Sequence, residues 1–438
     1  MKQAKVISAT WSILAVTVLM AEPKVSNVTF EQDDTASRKV TITYRLEDES
    51  AIVTIDILTN GVSIGEANLT HFAGDVNRIV APGNLRTALW YPDKAWPDHK
   101  TDNAKAVVTA WATNAPPNYM VVDLTDGVTT YYTSDECLPD GGLSNDVYRT
   151  DRMVFRKIPA RGVTWRMGSP TNELGRAEDE TPHLVTLTKD YWFGIYSVTM
   201  GQYKRIISSN SEVAPDFCFF TNIASHMTRP LQGVGMKSIR GTGKLWPADG
   251  HEVAAGTPIA NLRAIAGNRP FDLPTEAQWE YAARAGAGTA LTTGRNLTDV
   301  KTDHQLDVLG RYDKNCGLAD NDKTTALIRE NDDSSGTSKV GIYTPNRWGI
   351  YDIHGNVADL CLDWYGAYVG DMESVQENPH GLSYATGLQC TVRGGFWGYI
   401  HNNSASKCRL ASRRAISYDT NKISSFRHIG CRFCLEIQ

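Results

Sequence analysis

Residues 22–132 predict a small all-β sandwich of immunoglobulin or fibronectin type, set ahead of a larger C-terminal unit over residues 151–438. Three features predict this division. Polar and apolar residues alternate from Lys39 to Leu46 and again from Ile52 to Leu58, an Asn60-Gly61 pair supplies a hairpin turn signal, and the polar stretch 133–150 with its Pro and Gly residues has linker composition.

In the first domain, Val40, Ile42, Tyr44 and Leu46 share one strand face, and Val53, Ile55 and Ile57 share another. Val62 and Ile64 return after the turn, and Arg86–Trp90 and Ala106–Ala112 continue the series. No residue here stands out chemically, so the domain is expected to be a spacer or docking module.

At 438 residues and 41% apolar, the chain is long enough for two or three globular domains and does not have a disordered composition. A formal net charge of -5, with no Lys/Arg-rich block and no phosphate-loop motif, argues against nucleic acid as a partner. Lys2 and Lys5 precede a mostly apolar run from Val6 to Met20 and then Ala21, which is the layout of a cleavable signal peptide over residues 1–21. The run is short for a membrane span and holds Ser8, Thr10, Ser12 and Thr17, so an uncleaved anchor is the lesser alternative. The expected location is secreted or cell envelope, with no membrane span left after cleavage. Eight cysteines are compatible with disulfides in such a compartment, but their spacing forms no dense framework. Cys431 and Cys434 form a CxxC without the context of a zinc or redox motif.

Further along, Thr199 can cap a helix whose buried stripe is Tyr203, Ile206 and Ile207. In the run from Leu273 to Gly286, Pro274 stops the preceding strand, Thr275 and Gln278 form a capping box, Trp279, Ala282 and Ala283 make a packing face, and Gly286 ends the helix. The window Trp348–Trp364 fits neither one helix nor one strand. There Asp352 and Asp359 can turn inward around Gly355, with the carbonyls of Gly355 and Val357 beside them, an all-oxygen set suited to calcium. The spacing is not that of an EF-hand loop, and both acids can equally be ordinary turn and cap residues.

Four blocks, Phe155–Ser169 with Glu180–Tyr203, Leu273–Gly286, Trp348–Trp364, and Arg393–Arg414 with Ile429–Phe433, resemble in order the formylglycine-generating enzyme, or sulfatase-modifying factor, family. The resemblance covers about two thirds of the chain. It implies an α+β fold, the irregular C-type-lectin-like fold of that family, and a structural calcium ion at Asp352, Gly355, Val357 and Asp359. Ala358 stands where the family has tryptophan, and Asp359 where it has glutamate.

Active members of that family hold copper between two cysteines and oxidise a sulfatase cysteine. Here the corresponding positions fall at Tyr399 and near Ser404 or Ala405, and Cys408 comes several residues too late, so copper is not expected. No histidine is followed four residues later by another, which removes the iron pattern of the related ergothioneine-synthase branch. No Ser/His/Asp set can be singled out. No catalytic residue is therefore assigned.

The C-terminal run also resembles the variable segment of retroelement-diversified lectin-like proteins. A ligand-binding surface is expected at Trp397, Tyr399, His401, Asn402, Asn403, Ser404, Arg414, Tyr418, Asp419, Phe426 and His428, whose mix of aromatic and adaptable polar types suits loop-built recognition. A plain hydrophilic loop surface has the same composition. The function expected is an exported ligand-binding module for a protein or glycan, with a formylglycine-generating oxidase and a structural envelope protein as alternatives.

Overall fold

The computed structural model describes residues 22–33, 38–207, 226–316, 336–370, 372–383, 388–398, 405–418 and 428–438. The expected signal segment 1–21 lies outside them. Among the described residues no helix is long and apolar enough to cross a membrane.

Two sheets face each other in the N-terminal domain. One runs Lys24–Gln32, Val40–Glu47, Gly83–Trp90, Phe72–Gly74, all antiparallel. In the other, Ala51–Thr59 pairs along its length with Ala104–Ala112 and at its opposite edge with Val62–Ser63 and Arg78–Val80. The alternation of Val40, Ile42, Tyr44 and Leu46 is realised, all four being buried. Asn60 and Gly61 both have positive φ, 53° and 81°, as a two-residue hairpin turn requires. Ala51–Thr59 is buried on both faces for most of its length, because Ile52 joins the core of the C-terminal unit while Ile55 and Ile57 fill the sandwich.

The two units are closely joined. Tyr119–Asp123 and Thr129–Tyr132, expected as the end of the sandwich, are hydrogen-bonded into a five-stranded sheet with Arg152–Ile158, Tyr191–Gly194 and Cys434–Glu436. The stretch expected as a linker holds the short helix Val147–Thr150, with Tyr148 fully buried and Arg149 donating to the Val340 carbonyl at 2.8 Å. Alternation identifies a strand but not the sheet it joins.

The C-terminal unit is α+β and rich in loops. A small sheet of Val163–Met167, His183–Leu187 and Gln376–Glu377 and a four-stranded sheet of Arg413–Ser417, Gln389–Arg393, Ala358–Trp364 and Ile429–Gly430 complete it. Thr199 and Thr275 each cap a helix with a full capping box closed by Gln202 and Gln278. Trp279, Ala282 and Ala283 are buried, and the chain leaves that helix through Ala285 in the left-handed conformation followed by Gly286.

Candidate ligand-binding site

Strand Arg413–Ser417 places consecutive arginines on opposite faces. Arg413 turns inward, grips Glu276 with both ends of its guanidinium at 2.7 and 2.6 Å, and lies 4.1 Å over the Tyr368 ring. Arg393, on the neighbouring strand, pairs with Glu280 and donates to the carbonyls of Ala411 and Ser412. Two acids of the capped helix therefore fix the two strands that carry the site. Arg414 turns the other way and sits 4.5 Å over the Phe396 ring, which in turn packs 4.0 Å from His428.

Beside Arg414 is a cavity of about 500 Å³, lined by Lys407, Ser417 and His428 together with Asp179 and Tyr365. Burial pulls the pKa values of both Lys407 and Arg414 below their ordinary values, and for Lys407 the neighbouring Arg414 charge adds to the effect. Asp179 accepts the Tyr365 hydroxyl at 2.5 Å, and burial with that carboxylate raises Tyr365 to about 12. Two partly desolvated cations thus face one carboxylate that already has a donor. Electrostatically this suits a ligand carrying an anionic group.

Of the expected ligand-binding residues, Arg414 and His428 line the cavity. Trp397 and Tyr418 are buried, at 4% and 6% exposure, and Tyr418 packs 5.3 Å from Trp364. Both therefore belong to the floor under the surface. Tyr399, His401, Asn402, Asn403, Ser404, Asp419 and Phe426 lie outside the described residues. Lys407, Asp179 and Tyr365 were not anticipated; a lysine directly before Cys408 in a block otherwise rich in arginine was the available signal for the first.

Cys408 is fully buried, and its thiol is raised to about 12 by burial. A Cβ at Gly395 would overlap its Sγ, so the Arg-Gly-Gly turn closes directly onto it. As a protonated thiol it packs as a small apolar group. The seven described cysteines are all buried and no disulfide joins any two of them, Cys431 and Cys434 included.

The residues expected to hold calcium differ in how well they fit an ion. Asp352 is buried with its Oδ2 accepting the Gly341 N–H at 2.8 Å, while Oδ1 has no hydrogen-bond partner. Burial raises its carboxyl to about 6. An orphaned, buried carboxylate oxygen is what a cation site leaves behind. Asp359 is committed elsewhere: Oδ1 accepts Ser197 at 3.0 Å, and Oδ2 accepts Trp279 Nε1 at 3.0 Å and Arg432 at 2.7 Å. The guanidinium already supplies Asp359 with a positive charge. Asp352 has an oxygen free to meet an ion, whereas Asp359 would have to share its carboxylate with Arg432.

His354, in the same loop, donates from Nδ1 to the Cys408 carbonyl at 2.7 Å and accepts the Thr292 N–H at Nε2, 3.1 Å, which fixes the neutral tautomer. Burial lowers its pKa from 6.5 to about 4. Below pH 6.5 the unfolded imidazole takes up a proton that the folded one refuses until about 4, so stability falls with pH over that window. The loss is of order 3 kcal/mol. Asp352 and Asp363, whose carboxyls are raised by burial, act with the opposite sign over acidic pH. The expected result is therefore a difference: denaturation midpoints across this range fall more steeply for wild type than for His354→Gln. Parallel slopes would show that the ring is not held neutral.

The profile of the Sulfatase-modifying factor enzyme 1-like domain matches residues 153–435. A formylglycine-generating enzyme of Mus musculus is 30% identical over 305 residues, covering 64% of this chain and 74% of the mouse protein. One from Thermomonospora curvata is 30% identical over 162 residues, covering 36% of this chain and 48% of its own. The chain thus spans about half the length of that bacterial relative. Among solved structures, PvdO from Pseudomonas aeruginosa aligns with 65% of this chain and 94% of its own at 19% identity and TM-score 0.43.

Proposed function

The chain belongs to the sulfatase-modifying-factor family, and from that premise we propose that its C-terminal domain keeps the family's irregular α+β, C-type-lectin-like fold and binds a ligand with an anionic group. The observation that carries this is the 500 Å³ cavity in which Lys407 and Arg414 face only an engaged carboxylate. Lys407 and Arg414 would pair with the anion, Ser417 would hydrogen-bond it, and the pinned Arg413–Glu276 pair would hold the strand rigid beneath. Export through a cleaved segment 1–21, and diversification of the run around residues 399–428 by a retroelement, are parts of the same reading.

Calcium enters as a structural ion, held by Asp352, the Gly355 and Val357 carbonyls and a shared Asp359, tying the loop shut. Formylglycine-generating oxidation is the second reading, supported by the family match over residues 153–435 and the likeness to the mouse formylglycine-generating enzyme.

The test is a protein and glycan array probed with the full chain in calcium and in chelator. Wild type should give hits concentrated among anionic ligands, and the Lys407→Gln, Arg414→Gln double variant should lose them while retaining its fold by circular dichroism. Hits that persist in the double variant would place binding elsewhere. Conversion of a cysteine peptide to formylglycine under copper and oxygen, abolished by Cys408→Ser, would instead establish the oxidase.

A further inference from the structure

A second cavity, of about 510 Å³, lies at one end of the N-terminal sandwich, far in sequence from the site above. Both sheets build its floor: Phe30, Val40 and Trp90 from one, Ile57 and Thr59 from the other. The connection after Trp90 forms the wall, where the Trp96 indole lies parallel to the His99 ring, centroids 4.1 Å apart and planes at 12°. His99 Nδ1 is committed to the Pro97 carbonyl at 2.6 Å, which leaves Nε2 as an acceptor. Asp93, Asp98 and Asp102 stand on the rim together with Arg38 and Lys100, and among the described residues none of the five is in an ion pair. Deeper, Trp90 is 3% exposed and its Nε1 has no hydrogen-bond acceptor.

We propose that this cavity is a binding site for a neutral saccharide. The lining excludes the other classes in turn. Three carboxylates oppose an anion, Arg38 and Lys100 oppose a cation, and a purely apolar ligand would bury the rim's polar groups without partners. What remains is an uncharged molecule with one apolar face and many hydroxyls, each able both to donate and to accept. A sugar ring meets this: its C–H face covers the flat, His99-backed Trp96 indole, and its hydroxyls donate to the rim carboxylates. The volume falls in the range of about 300–1,000 Å³ usual for small-ligand sites, enough for one or two rings at a chain end. This site is independent of the anion cavity, so the N-terminal domain would act as a saccharide-docking module for the whole chain.

The experiment titrates the full chain with neutral trisaccharides of glucose, mannose, xylose and N-acetylglucosamine, following tryptophan fluorescence and heat. At least one should bind saturably, with Trp96→Ala weakening it about tenfold. Asp98→Asn, at an exposed rim position that the fold does not need, should weaken the same sugar, and Arg414→Gln should leave it unchanged. The proposal is overturned if none of the four sugars binds, if binding survives both Trp96→Ala and Asp98→Asn, or if a galacturonate trisaccharide or trilysine binds more tightly than every neutral probe.

Discussion

Arg409→Met should destabilise the C-terminal domain by about 3–5 kcal/mol, the usual cost of leaving buried charge uncompensated. All five guanidinium donors are used. Nη1 reaches Glu173 at 2.6 Å and Glu180 at 2.8 Å, Nη2 reaches Glu180 at 2.5 Å and the Gly175 carbonyl at 2.7 Å, and Nε reaches the Ser406 carbonyl at 3.0 Å. The three side chains are no more than 2% exposed. The carboxylates respond differently: Glu180 receives the fork and is held below its ordinary pKa, while burial dominates at Glu173 and raises it. Removing the arginine strands both. Urea unfolding followed at the tryptophans would show the loss as a lower midpoint with an unchanged slope. Adding Glu173→Leu and Glu180→Met to Arg409→Met should restore part of it, because no buried charge remains. Recovery should be incomplete, since Ser169 Oγ and the Ala177 N–H also lose Glu180. A single variant as stable as wild type would mean that water reaches the cluster.

What was legible in the sequence was local. The alternation at Val40–Leu46, the Asn60-Gly61 turn and the boxes at Thr199 and Thr275 each depend on residues within a few positions, and each is found. The charged residues that join the four blocks were not legible, because their partners are distant: Glu276 meets Arg413 137 positions away, and Glu180 meets Arg409 229 away. The helix Glu276–Arg284 looked purely structural, yet its acids hold the strands bearing Arg393 and Arg414. Asp359 illustrates the same limit, since its spacing from Asp352 suggested a shared cation while the fold brings Arg432, 73 positions on, to its carboxylate. Burial within loops was equally invisible. Trp397 and Tyr418 have the composition of a recognition surface but lie beneath it, because aromatic rings in an irregular fold serve as core as readily as contact.

Gly355→Ala should prevent the C-terminal domain from reaching its native packing, a loss above about 4 kcal/mol, beyond the range of ordinary substitutions. Two terms add. Gly355 has φ +155°, which side-chain-bearing residues rarely adopt and which alone costs about 1–3 kcal/mol. A Cβ there would also overlap the Arg311 carbonyl oxygen and stand 2.8 Å from its carbon. Arg311 has no room to give: its carbonyl accepts the Asn356 N–H at 2.7 Å, its own side chain is fully buried, and a Cβ on the preceding Gly310 would lie 2.7 Å from the His354 carbonyl carbon. The two backbones are in direct contact. Gly286→Ala separates the terms, because Gly286 has φ +87° with nothing within 4 Å of its Cβ position. That variant should lose only about 1–2 kcal/mol. Soluble yield and urea midpoints of the two variants, compared with wild type, check the ordering. Equal losses would mean that the 310–311 segment moves away from the loop, and the close approach at Gly355 would then have no part in shaping the turn between Asp352 and Asp359.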